Sequence, residues 1–203
     1  MRFPTFVSKL FERVRVNKVI RVLILSDFFL FSGVGLMSPI FAVFITEQIK
    51  GGSISVAGFA AAIYLMCKSL LPIPIARFMD IQRGEKDDFR VMMFGSIVMA
   101  LVPFVYLFVR LPWELYVVQA IYGIGAAFAF VSWQAIFTRH VDKEDVALEW
   151  GVYNTLTDLG GAAAAGIGGA IAQALGFHLL FILTGVILLC GVGALFGIAR
   201  RFT

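Results

Sequence analysis

Residues 91–109 read VMMFGSIVMALVPFVYLFV, a run without a single charged side chain. A run of this length crosses the hydrocarbon core of a bilayer as an α-helix, because lipid offers exposed backbone groups no hydrogen-bond partner. Similar apolar runs lie on both sides of it. The sequence therefore predicts an all-α integral membrane protein with six transmembrane helices. We expect them at residues 19–46, 54–79, 91–109, 113–137, 146–175 and 177–199.

The composition of the whole chain supports the same class. Of its 203 residues, 60% are hydrophobic and 15% are charged, and the mean hydropathy is +0.92. Soluble domains carry about 45–50% apolar and about 25% charged residues. These figures exclude a disordered chain, a disulfide scaffold and an ordinary cytosolic enzyme. Six spans also leave little room for a soluble catalytic domain.

The basic residues predict how the chain is oriented in the membrane. If the N-terminus lies inside, the inner segments hold 14 of the 17 lysines and arginines, the outer loops hold only Lys50 and Arg110, and Lys68 lies within a span. This is a strong positive-inside bias. We therefore expect an inner (cytoplasmic) membrane protein with both termini in the cytoplasm. The pI near 9.3 reflects this orientation, and no nucleic-acid partner is expected.

The two ends of the chain are predicted to lie outside the transmembrane domain. Residues 1–18 place apolar side chains at three- and four-residue spacing with basic residues between them, which is typical of an amphipathic helix on the anionic inner face. A signal peptide is the competing interpretation, but the apolar run that follows is too long for one. The transmembrane domain would cover residues 19–199, and residues 200–203 would form a cytoplasmic tail.

Two short sequence matches indicate an internal repeat. Gly33-Val-Gly35 in the first span returns as Gly123-Ile-Gly125 in the fourth, 90 residues later, and the same offset relates Lys68 to Asp158. Each repeat would hold three spans, so the two copies would run in opposite directions across the membrane. This inverted arrangement is common in secondary transporters. The repeats would comprise approximately residues 19–109 and 113–199.

Three charged residues lie deep inside the predicted spans, away from their ends. Lys68 and Asp158 fall near the bilayer midplane and Asp27 slightly nearer the cytoplasm, at a rise of about 1.5 Å per residue. A charge at this depth costs at least about 2.5–3.5 kcal/mol, so these residues should pair or line water. They form either a structural ion pair or a cluster that handles protons or substrate. Asp27 is the candidate proton site, because desolvation favours the neutral form of a carboxylic acid.

Polar and aromatic residues surround these charges at helical spacing. Spans three and six carry almost no polar side chains between their ends, so we expect them to face lipid while the other four spans line a cavity. A mixed aromatic and amide lining suits a small neutral or polar organic solute, sugar-like or drug-like. The candidate cavity residues are Tyr64, Gln119, Tyr122, Trp133, Gln134 and Asn154. Two histidines and two cysteines are scattered along the chain, so no metal or other cofactor is expected.

The segment between spans two and three carries a family resemblance. Residues 76–86, ARFMDIQRGEK, resemble the cytoplasmic loop motif G-x-L-a-D-r-x-G-R-r of the major facilitator superfamily. Asp80 matches the acid of the motif and Gly84 its later glycine, shifted by one residue, while Arg83 and Lys86 are similar to its basic positions. In the family this loop forms a charge network that gates the cytoplasmic side. The resemblance implies the same role for these four residues.

Two further runs resemble the same family. Residues 119–127 resemble its R-x-x-q-G-x-G-a-a run, with Gln119 in place of an arginine associated with proton coupling. Residues 160–169 resemble its antiporter motif g-x-x-x-G-P-x-x-G-G, with Ala165 in place of the proline. The resemblance covers the whole chain. It implies a secondary-active transporter that works by alternating access, and Asp27 makes coupling to protons the expectation.

The family's usual chain has twelve spans, arranged as two six-span halves around one central site. This sequence corresponds to one half, and a lone half would expose its midplane charges to lipid. We therefore expect a parallel homodimer in the bilayer, with Lys68 facing Asp158 of the partner subunit. The other expected partners are a small-molecule substrate and protons.

Two other functions stay open at this point. The chain is alternatively a non-transporting membrane subunit, or half of a transporter formed with a different polypeptide. An intramembrane serine protease is the remote alternative, because such an enzyme needs a nucleophilic serine and a base within reach. Ser132 and His178 are the candidates, but Ser132 lacks the flanking glycines of that family and His178 lies at the outer end of span six.

Overall fold

The computed structural model describes residues 17–82 and 84–202. The interfacial helix expected at residues 1–18 lies outside this part except for its last two residues, and Arg83 lies outside it as well. Within the described residues, all regular secondary structure is helical. The elements are α1 (Lys18–Met37), a 3-10 turn (Ser38–Ile40), α2 (Phe41–Gln48), α3 (Ile54–Leu70), α4 (Pro72–Gln82), α5 (Glu85–Tyr106), α6 (Pro112–His140) and α7 (Val146–Phe202).

Prolines explain where two of the apolar runs are interrupted. Pro39 lies in the 3-10 turn between α1 and α2, and Pro72 begins α4 directly after a bend at Leu71. Proline has no N–H to donate and its ring clashes with the preceding helical turn, so a helix bends or stops there. The two runs nevertheless each form one candidate membrane span, Lys18–Gln48 and Ile54–Ile81.

Five segments are long and apolar enough to cross a membrane, as judged by length and composition. The last of them, Val146–Ala199, has 54 residues. A straight helix of that length would measure about 80 Å, whereas the hydrocarbon core of a bilayer is about 30 Å thick. It is not straight, because Gly176 takes φ 82° and ψ 170°, in a region of backbone space that favours glycine. The break falls at the turn that the sequence predicts.

Contacts with α1 show that the chain reverses direction at Gly176. In the first arm of α7 (residues 146–175), Gly160 packs against Phe28 and Gly168 against Leu36, so this arm runs parallel to α1. In the second arm (residues 177–202), Leu188 packs against Gly33 and Gly191 against Ser26, which is the antiparallel order. Because the last of the five candidate spans consists of two antiparallel arms, the described part of the chain forms a bundle of six helical segments.

The two glycine pairs noticed in the sequence lie at close helix crossings. Gly35 and Gly33 pack α1 against the first and second arms of α7, whereas Gly123 and Gly125 pack α6 against α3 and α5. A Cβ on Gly35 would lie 2.5 Å from the carbonyl oxygen of Gly161. The first helix of each repeat thus packs against the second and third segments of the other repeat, as an inverted repeat predicts.

The outer surface of α5 carries a stripe of exposed apolar side chains. They recur at three- and four-residue spacing, which places them on one face of the helix. An apolar face of this kind suits contact with lipid, as expected for the third span. The stripe consists of Phe94, Ile97, Leu101 and Val105.

We predict that Gly35→Ala lowers the melting temperature of the detergent-purified protein by about 2–12 °C. The added methyl group meets backbone atoms that cannot move without shifting a helix, and overpacking of this kind costs about 1–3 kcal/mol. Tryptophan fluorescence during heating measures the change. The matched control is Gly193→Ala, because a Cβ there meets no atom within 4 Å. Equal melting temperatures for the two variants would contradict the close crossing.

Candidate functional site

A cavity of about 160 Å³ lies between α1, α3, α5, α6 and α7. It sits between two apolar clusters, one around Tyr106 and Phe181 and the other around Phe137 and Leu195. We call the end of the bundle that holds Lys18 and His140 the inner end and the opposite end the outer end, following the predicted orientation. The charged and aromatic residues that line the cavity are Asp27, Phe31, Tyr64, Lys68, Tyr122, Phe130, Trp133 and Tyr153.

Asp27 is held at the wall of the cavity by a tyrosine on a different helix. The hydroxyl of Tyr153, in the first arm of α7, donates a hydrogen bond of 2.9 Å to Oδ2 of Asp27 on α1. Sequence reasoning missed Tyr153. The available signal was the series of small residues Gly160, Ala164 and Gly168, which marks the face of the helix that packs on α1. Tyr153 lies on the same face, two turns earlier.

Lys68 reaches the same cavity from α3. Its Nζ lies 5.8 Å from the ring centroid of Tyr64 and 5.5 Å from that of Phe130. An ammonium group within about 6 Å of an aromatic centroid is attracted to the face of the ring. In the part of the chain that the structure describes, no carboxylate lies within ion-pair distance of Lys68. Asp27 and Lys68 are the charged members of the described cavity lining.

Aromatic rings form most of the remaining wall. Tyr64 and Tyr122 stack with their centroids 5.0 Å apart, and Trp133 packs against Tyr153 at 4.8 Å. Trp133 is 5% exposed, and its buried Nε1 has no hydrogen-bond partner among the described groups. Because an unpaired N–H in an apolar setting is costly, this donor requires an explanation.

Four of the residues predicted for the cluster do not line this cavity. Gln134 and Asn154 are exposed, and each follows a true lining residue by one position, which turns its side chain about 100° around the helix. Gln119 is buried one turn before Tyr122, towards the outer end. Asp158 is exposed and lies in a separate groove of about 250 Å³.

The groove of Asp158 lies beside the cavity rather than within it. Phe31 and Val34 of α1 line both, so they stand between Asp158 on one side and Lys68 on the other. The groove is otherwise built from small residues, among them Gly161 and Ala165. The structure therefore does not bring Asp158 and Lys68 together within one chain.

A second, wider crevice of about 640 Å³ lies at the inner end, between α4, α5 and α6. Of the residues predicted for the gating loop, Asp80 and Gly84 line it, and Lys86 lies exposed in the first turn of α5. The ion pairs here are made by other residues. The guanidinium of Arg139 pairs with the buried carboxylate of Asp88 and lies 3.9 Å from Oε1 of Glu85.

Helix chemistry explains why these three residues meet. Glu85 and Asp88 lie in the first turn of α5, where carboxylates stabilise the positive end of the helix dipole. Arg139 lies in the last turn of α6, where a cation does the same at the negative end. The packing of α5 against α6 brings these two ends together. Sequence reasoning concentrated on the preceding loop motif and missed them.

The apolar helices surround a cavity whose wall holds an acid, a base and aromatic rings. This arrangement is typical of integral membrane proteins of the transporter class. The family model of the Major Facilitator Superfamily matches residues 23–202. The chain therefore belongs to the major facilitator superfamily, whose members are membrane transporters rather than enzymes. No curated protein matches the chain.

We predict that Arg139→Met destabilises the protein by about 1–3 kcal/mol, because it leaves the carboxylate of Asp88, which is 4% exposed, without its partner. Thermal unfolding in detergent measures the loss. The control is Arg90→Met, which breaks the exposed pair with Asp87 and should change stability little. The double variant Arg139→Met with Asp88→Asn should recover much of the loss. If it recovers nothing, the pair is not what stabilises this end.

Proposed function

We propose that the protein is a secondary-active, proton-coupled transporter of a small organic solute, and that it works by alternating access as a homodimer of six-helix units. The observation that carries this proposal is the internal cavity in which Asp27 and Lys68 stand among aromatic rings. Charges at this depth are expensive, and transporters retain them where they handle ions or substrate. The proposal includes an inner-membrane location with both termini in the cytoplasm.

The setting of Asp27 supports a proton-carrying role. Among the described residues that line the cavity, Asp27 is the one with a carboxylate. It accepts a hydrogen bond from the neutral phenol of Tyr153 rather than from a cation. Because the phenol is neutral, Asp27 can take up a proton in one conformation and release it in another as water access to the cavity changes. Tyr153 would hold the side chain in place in both protonation states.

The size of the cavity supports a small solute. Sites for drug-sized ligands usually measure about 300–1,000 Å³, and this cavity of about 160 Å³ is smaller. It suits a solute with a single ring, or the half of a site that a second unit completes. Residues Tyr64, Tyr122 and Trp133 would contact the solute.

The exposure of Asp158 in its groove supports the homodimer. Asp158 is exposed there, and the described residues place no basic group within ion-pair distance of it. A carboxylate exposed to lipid at this depth is costly, whereas a second unit packed in the groove would cover it. In one state of the cycle we propose that Lys68 pairs with Asp158 of the partner subunit.

The inner crevice supports the proposal of a gate at the inner end. Alternating access requires contacts that close this end in one conformation and separate in the other. Arg139 joins α6 to the start of α5 through Asp88 and Glu85, and Asp80 and Gly84 lie in the same crevice. Opening the inner end would separate these groups, so the ion pairs favour one conformation over the other. Lys86 and Arg83 of the loop motif would belong to the same network.

The alternatives differ in what they require. A non-transporting subunit, or half of a transporter formed with another polypeptide, requires a second protein. A protease requires Ser132 and His178 to meet, but Ser132 donates its hydroxyl to the carbonyl of Phe128 at 2.9 Å, and His178 lies at the outer end beside Gln48. That pair is not assembled, so we do not favour the enzyme.

We predict that Asp27→Asn abolishes uphill transport. Proteoliposomes with an inward proton gradient would be offered radiolabelled benzoate, benzylamine, benzyl alcohol and glucose, and accumulation of at least one solute by the wild-type protein is expected. The variant should retain exchange down a gradient while its accumulation no longer responds to the proton gradient. Asp87→Asn, in an exposed pair, is the control. Full gradient dependence in Asp27→Asn would exclude the role, and no transport of any solute by folded wild-type protein would favour the subunit.

We predict that single variants Lys68→Asp and Asp158→Lys each reduce the dimer fraction in detergent, and that the double swap restores it. Light scattering on the purified protein measures the fraction. The control double variant, Lys50→Asp with Asp158→Lys, reverses the charge of an exposed loop lysine and should restore nothing. If the Lys68 swap recovers no more dimer than either single change, the pairing is wrong. A monomeric wild-type protein would exclude the homodimer.

A further inference from the structure

The hydrogen-bonding groups of the cavity are unequally satisfied. Asp27 already accepts from Tyr153, so its carboxylate has a partner. The ammonium of Lys68 lies over the rings of Tyr64 and Phe130, and no carboxylate of the described residues is within ion-pair distance of it. The ammonium is therefore a donor without a charged acceptor. What the cavity lacks is therefore an acceptor, and a charged acceptor would satisfy an ammonium best.

The ammonium of Lys68 stands against a wall of aromatic rings. It lies over the ring of Phe130 on α6 and over the ring of Tyr64 on α3. Tyr64 stacks on Tyr122, so two helices supply the rings beside the charge. An apolar body attached to an anionic group would meet these rings while the group meets the ammonium.

We propose that the cavity binds a small organic monoanion, whose carboxylate lies beside the ammonium of Lys68 and whose apolar body packs against the tyrosine rings. This inference rests on the proposed function, because it names the class of solute that the same site would carry. A neutral solute would form no ion pair with the ammonium, and an organic cation would be repelled by it.

The charges that face the cavity explain how such an anion would be coupled to a proton. Lys68 and Asp27 compensate each other when the site is empty, and Tyr64, Tyr122 and Tyr153 are uncharged phenols. The lining residues from α5 and from the second arm of α7 are Met92, Ser96, Met99 and Leu195, none of which is charged. An anion alone would leave one net negative charge in a low-dielectric site. An anion together with a proton on Asp27 restores neutrality, so the two would bind together.

The test is equilibrium binding of radiolabelled benzoate to the purified full-length chain, with benzyl alcohol and benzylamine as competitors of similar shape. We expect benzoate to bind and both competitors to bind at least about tenfold more weakly. Lys68→Met should weaken benzoate by at least about tenfold and leave benzyl alcohol unchanged, since it removes a charge-assisted hydrogen bond. Lys68→Arg should retain most of the affinity. Lys50→Met, an exposed loop lysine, is the matched control.

The same binding assay also tests whether the anion and a proton on Asp27 bind together. Benzoate affinity should rise as the pH falls over a range in which benzoate stays ionised, and Asp27→Asn should bind tightly without that dependence. Preference for benzylamine, equal losses for all three probes in Lys68→Met, or no binding of any probe would overturn the inference. If benzoate binds as expected but no solute crosses proteoliposomes, the anion site stands and the proposed function fails. If benzyl alcohol alone is bound and transported, the proposed transport function stands and the anion site fails.

Discussion

The structure depends on one constraint, which is that a bilayer offers no hydrogen-bond partner to a polar group. Backbone amides satisfy it by forming helices, and the side chain of Ser53 satisfies the free end of α3 by accepting from the amide of Val56. Interruptions occur where proline removes a donor, at Pro39 and Pro72. The same constraint explains why the charged side chains of the cavity, Asp27 and Lys68, stand where other side chains of the bundle surround them.

Close packing of α1 between the two arms of α7 positions the polar groups of the cavity. Gly35 and Gly161 let the backbones of α1 and the first arm approach directly, and this approach brings the hydroxyl of Tyr153 to Asp27. A larger residue at either glycine would separate the helices and leave the carboxylate in an apolar wall without its donor. The glycines therefore act on the chemistry of the cavity although they do not line it.

The sequence was sufficient for the class, the helical segments and part of the site, because hydrophobic run length and turn residues such as Gly176 act locally. Asp27, Tyr64, Lys68, Tyr122 and Trp133 were predicted and do meet in one cavity. Tyr153 and Arg139 were missed, since their roles depend on which helix face meets which neighbour. Gln134 and Asn154 were predicted to line the cavity, but the lining residues are their neighbours Trp133 and Tyr153. One position turns a side chain by about 100° around the helix axis, and helical spacing alone does not show which of two neighbours faces the cavity.

Lys68 shows how a charge can be kept inside a bundle of apolar helices. An ammonium group in a low-dielectric site needs compensation, and aromatic faces supply a small part of what a carboxylate would. The described residues place no carboxylate within ion-pair distance of it. Asp27 nevertheless lines the same cavity, so two opposite charges share one apolar space without a contact ion pair, and each stays available to another group that enters the space.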